Sequence, residues 1–269
     1  MSSKKETHTS QSAQSSIDDF GFYESKPKES IAMPIVAHEI GHLVGLLLND
    51  KCVEPFGIAT IINFGCQNPR FNFDWTDQIF RVLKNETEID FYEQRGYDII
   101  KNEACVDTMN FLDKKYNLER FPWFIVQKLI GGVFQLLHYQ KSKQTKIADK
   151  HFDCIFSDVN DTDQESIAGA AGMDWTSVRM YCGAYQIPWN NLCLYRLKLF
   201  NAISDFAFYD QIEPIIQEYY TYNIDEYSGT DLVSLQEKLQ STIEGFEQLE
   251  PMLEVIKHAN NALLQSIKT

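Results

Sequence analysis

At 269 residues the chain can bury a full core and suits one large domain or two small ones. Its composition, 44% hydrophobic, 13% aromatic and 23% charged, is that of an ordinary globular protein. The net charge of −14 argues against a nonspecific grip on nucleic acid or anionic membrane, because phosphates are held by Lys and Arg.

In chain order, residues 1–30 are rich in Ser, Gln and Lys and read as a disordered tail. They hold no apolar core of the kind a secretory signal needs, and the fragment "FGFYE" at 20–24 could add a short strand. From Ser30 or Met33 the apolar residues predict a helix to Leu48, with Pro34 in its first turn and Asn49-Asp50 as its end. Its run "LVGLLL" at 43–48 is too short to span a bilayer. "CVEPFGIATIINFG" at 52–65 is β-branched and bounded by Pro and Gly, so it reads as one or two strands. Helices follow at 75–84 and 96–116, then one at 122–140 that is apolar nearly all round and therefore central. A Lys-rich linker at 141–150 leads to helical segments at about 163–185, 190–222, 231–249 and 251–267. The last two suit a helical hairpin broken at Pro251. The six cysteines form no C-x-x-C pair, which predicts reduced thiols and a soluble, cytoplasmic protein. Residues 201–269 carry twelve acidic and three basic side chains, an acidity that suits a solvated helical face.

The chemistry is concentrated in "AHEIGH" at 37–42. A helix sets residues i and i+4 on one face, so His38 and His42 can reach a single ion while Glu39 projects beside them. Zinc accepts imidazole nitrogen and lowers the pKa of a water molecule, and a neighbouring carboxylate takes the proton. Gly41 and Gly45 keep the helix slim enough for another element to approach closely. A catalytic site of this kind needs a third ligand. "NEACVD" at 102–107 offers Glu103 for the metal and Asp107, again i+4, for the N–H of a ligating histidine. A cation and an imidazole N–H would compensate two acids on an otherwise apolar helix.

"HEIGH" followed by "NEACVD" resembles the gluzincin group of zinc metallopeptidases. The thermolysin-like branch has N-E-A-x-x-D at the second place, and the ImmA/IrrE-like branch has H-E-x-G-H at the first. The resemblance covers roughly 34–115. It implies His38, His42 and Glu103 as zinc ligands, Glu39 as general base and Asp107 as the supporting acid. It also implies an α+β, predominantly α fold: a zincin-like metal-binding part over 31–142 with a small sheet, then a helical part over 151–269. The substrate it implies is a protein or peptide. Tyr97, His138 and His151 are candidates for stabilising an oxyanion, although His138 also suits a hydrogen-bonded place in the core.

"QESIAGAAGMDWTSVRMYCG" at 164–183 is similar to a helix-turn-helix, with Gly172 at the turn. The reading helix would be about 174–183, yet it offers Arg179 and little else, with Asp174 at its start. Nucleic acid is therefore not the expected partner, and a packed helical pair is. The alternative to a peptidase is a regulatory DNA- or protein-binding helical protein with a structural or vestigial metal site. A helical binding module carrying a chance motif is the third reading.

Overall fold

The computed structural model describes residues 33–52, 57–63, 70–74, 80–82, 121–156, 171–222 and 226–267. Its helices are α1 (Met33–Asp50), α2 (Phe121–Lys143), α3 (Asp149–Ile155), α4 (Gly172–Ala184), α5 (Trp189–Asp205), α6 (Phe208–Tyr222), α7 (Gly229–Glu244) and α8 (Leu249–Leu264).

The centre is the pair α1 and α2. Apolar residues dominate nearly the whole circumference of both, so most of each helix must be enclosed. Every residue of α1 from Val36 to Asn49 is buried, as is every residue of α2 from Phe121 to Leu137 except Lys128. The two helices run antiparallel and cross where glycines remove the side chains between them. A Cβ at Gly41 would lie 2.9 Å from Gly131 Cα, and one at Gly45 would lie 2.9 Å from Gln127 Cα. The slimness expected of Gly41 and Gly45 is thus used by α2.

Other helices enclose this pair. α6 lies on α1, α7 on α6, and α5 on both α2 and α8. α7 and α8 bury leucine and isoleucine faces of the expected spacing. Their main partners are α6 and α5, however, and the expected hairpin is not the principal packing. Pro251 does not break a helix: it sits in the first turn of α8, where its missing N–H has no intrahelical partner to lose. The segment 190–222 is two helices, divided at Phe206-Ala207, where Ala207 takes a left-handed φ of 52°.

The expected fold class is corrected here. In place of an α+β molecule with a zincin-like part and a small sheet, the packed body is predominantly helical, and the expected sheet is not a layer of it. Short extended segments at β1 (Gly57–Asn63), β2 (Arg70–Asp74), β3 (Phe80–Val82) and β4 (Glu226–Ser228) pair their backbones, with β1 in the middle. Ile62 is the one side chain of these segments that is described, and it is buried in the core. The physical reason is that α1 and α2 bury their apolar surfaces chiefly on each other and on further helices, so helix-on-helix packing sets the body of the molecule. Phe80–Val82, expected within a helix, is extended and pairs in parallel with Gly57–Ala59. The expected helix at 96–116 and the tail at 1–30 lie outside the described residues. Among the described residues no helix is long and apolar enough to cross a membrane.

Candidate metal centre

α1 delivers His38 and His42 to one face, as the four-residue spacing requires. Their rings meet edge to face, with centroids 4.7 Å apart and Nε2 atoms 3.0 Å apart. α2 holds the second ring in place. His42 Nδ1 lies 2.7 Å from the Gln127 carbonyl oxygen. A carbonyl can only accept, so Nδ1 carries the proton and Nε2 is the nitrogen turned to the site. Gly131 makes room for this arrangement: a Cβ there would lie 2.8 Å from His42 Cε1 and 2.9 Å from the His38 carbonyl oxygen.

The third group is Asp174, in the first turn of α4, where a helix favours a negative side chain. Its Oδ2 lies 3.2 Å from His38 Nε2 and 3.0 Å from His42 Nε2. Its Oδ1 lies 3.3 Å from Lys128 Nζ. Burial alone would raise the Asp174 carboxyl. The charges of His42 and Lys128 and the hydrogen bonds to both histidines outweigh it and hold the group well below the carboxylate range. α4 comes this close because α2 has a second glycine. A Cβ at Gly132 would sit 2.6 Å from the Phe156 ring and 2.8 Å from Ala171 Cβ, and Ala171 is the residue preceding α4.

Counting protons shows what this cluster requires. Three contacts of 3.0–3.2 Å join two imidazole nitrogens and one carboxylate oxygen. The His42 proton faces Gln127, so neutral histidines leave at most one hydrogen, on His38 Nε2, for all three contacts. At least one contact then sets lone pair against lone pair, and a cation, either a further proton or a metal ion, removes the conflict. His38, His42 and Asp174 form a group that could hold a metal ion. Tetrahedral zinc at about 2.0–2.1 Å from each donor separates its donors by about 3.3 Å, so the triangle need open only by a few tenths of an ångström. The backbone carbonyl on His42 Nδ1 is the support that ligating histidines ordinarily have.

Glu39 follows His38 and is buried, and its Oε2 has no hydrogen-bond partner. Burial pushes its carboxyl up to about 7, against the pull of His38, with Asp174 raising it further and Lys128 lowering it. A carboxyl in that range can take and return a proton near neutrality.

The structure thus brings together His38, His42 and Glu39 of the expected set. Glu103, Asp107 and Tyr97 lie outside the described residues. His151 is engaged at the head of α3, where its Nδ1 accepts the Ala148 N–H at 2.9 Å. His138 is partly buried rather than hydrogen-bonded in the core, and its Nδ1 has no partner.

No protein-family model, curated protein or solved structure matches the chain.

The residues themselves must therefore carry the functional reading, and Asp174 is the one that sequence reasoning missed. It was legible only as an acid opposing DNA at the head of 174–183. Two signals could have found it. Gly131-Gly132 sits inside an otherwise apolar helix, which predicts close approach by two different elements. Asp174 also opens a helix whose Trp175, Val178 and Cys182 are buried, so the acid had to find a partner indoors.

Proposed function

We propose that the protein is a zinc-dependent peptidase that hydrolyses peptide bonds in a protein or peptide substrate. The observation that carries the reading is the convergence of His38, His42 and Asp174 on one point, with the buried Glu39 carboxyl beside them. Zinc supplies Lewis acidity, which lowers the pKa of a water molecule and polarises the scissile carbonyl. Three protein donors leave a position for that water. Glu39, raised by burial, accepts the water's proton and returns it to the departing amine. Lys128 faces the solvent side of Asp174, and burial elsewhere keeps bulk water from the histidines. The free thiols of Cys52, Cys182 and Cys193 support a cytoplasmic setting.

The test separates metal binding from chemistry. Purified wild type should hold one zinc per chain and cleave a proteome-derived peptide library, with products read by mass spectrometry. Glu39→Gln should keep the zinc and lose hydrolysis by about a hundredfold or more, whereas His42→Ala should lose both. Cleavage by Glu39→Gln at the wild-type rate would overturn the mechanism.

The DNA-binding alternative draws little support from the observed packing. A recognition helix reads bases with its N-terminal residues. In α4 those residues include Asp174 and Trp175, which are turned into the protein.

A further inference from the structure

Lys128 follows Gln127 on α2 and points its ammonium at the Asp174 oxygen that the histidines do not use, with Nζ 3.3 Å from Oδ1. The carboxylate is therefore divided. Oδ2 faces both imidazoles, at 3.2 and 3.0 Å, while Oδ1 faces the lysine. The Asp174 and Lys128 side chains keep 13% and 20% of their surface exposed, against 3% and 5% for His38 and His42. Among the described residues this pair forms the solvent-facing edge of the site. A carboxylate so largely buried needs a partner for its second oxygen, because an unpaired one carries its full desolvation penalty. Lys128 is the partner the structure provides.

We propose that Lys128 is a positioning residue for the metal: by holding Oδ1 it keeps Asp174 a one-oxygen ligand and leaves a coordination position open. Without the ammonium, the cation nearest to Oδ1 is the metal itself. Both oxygens then turn to it, and the coordination number rises by one. The water keeps the fourth position, and the fifth, which a substrate carbonyl would otherwise enter, is taken. Ligating carboxylates are ordinarily held by such outer contacts, which set how they meet the ion. The inference rests on a metal occupying the His38–His42–Asp174 group and not on the reaction it serves.

Cobalt(II) bound to the full chain reports coordination number through its visible absorption, which is intense for four ligands and weak for five. Wild type is expected to bind one cobalt with an intense band. Lys128→Met should still bind one cobalt but lose most of that intensity, and Lys128→Arg, which restores a cation, should recover it. Lys128→Leu, which lacks both the charge and an N–H donor, should behave as the Met variant does and serves in its place if that variant does not fold. A Lys128→Met or Lys128→Leu spectrum identical to wild type overturns the role of the lysine while leaving the metal reading intact. Failure of wild type to bind cobalt overturns both.

Discussion

His42 commits its Nδ1 proton to a backbone carbonyl on another helix, and that one contact fixes which nitrogen faces the site. The pairing follows from the protein's own geometry and needs no ion to create it, so the metal would meet a ring already oriented. The contrast with His138 is instructive. Burial pushes its imidazole below the ordinary 6.5, with Glu213 raising it and Lys141 lowering it. The unfolded chain takes up a proton near 6.5, whereas the folded protein accepts it only at lower pH. Folding stability is therefore complete above that pH and declines as pH falls through the window beneath it, by at most about 1.4 kcal/mol per pH unit for one proton. Thermal melts between pH 7.5 and 5 should show a drop that His138→Gln reduces. Equal pH slopes in the two proteins would remove this assignment.

At the scale of elements, the four glycines of α1 and α2 explain how the site is assembled. Each glycine inside a helix costs about 1 kcal/mol relative to alanine. The same residues let α1 and α4 meet α2 on two neighbouring faces. Gly131→Ala and Gly132→Ala should each destabilise the fold by roughly 1–3 kcal/mol through overpacking. Both should also weaken zinc binding about tenfold or more, since each shifts a supporting contact or the approach of Asp174. Gly183→Ala is the control. Nothing lies within 4 Å of a Cβ at that position on α4, so it should raise stability by about 0.5–1 kcal/mol and leave zinc affinity alone. Urea unfolding and zinc titration of the three variants measure both effects. α1 and α2 were themselves legible, because each is a largely apolar run too long for a strand. The strand at Phe80–Val82 was not, because a three-residue pairing leaves almost no period in the sequence.

For the whole molecule, a metal ion in the candidate group would be a tie across the chain. Asp174 stands 136 residues from His38, so an ion held by both joins two segments that only tertiary packing brings together. Binding to the folded state alone stabilises it by about 2.7 kcal/mol when free metal is a hundred times the dissociation constant. For a chain of this size that corresponds to a rise of roughly 5–10 °C in Tm. Scanning calorimetry with and without zinc should show the rise, a chelator should reverse it, and Asp174→Ala should lack it. A chelator-insensitive Tm in wild type would count against the tie.

The sequence alone determined what depends on neighbours along the chain. The pairing of His38 with His42, the Glu39 beside them and the extent of α1 and α2 all follow from the 3.6-residue turn and from an apolar surface that must be enclosed. Tertiary structure decided the third member of the candidate metal group and the fold class. A ligand more than a hundred residues away is selected by which helices can approach α2, and that depends on where glycine leaves room and on how buried surfaces pair. The same pairing packed α1 and α2 chiefly against each other and against further helices. No periodicity within a single segment records which partner it will meet.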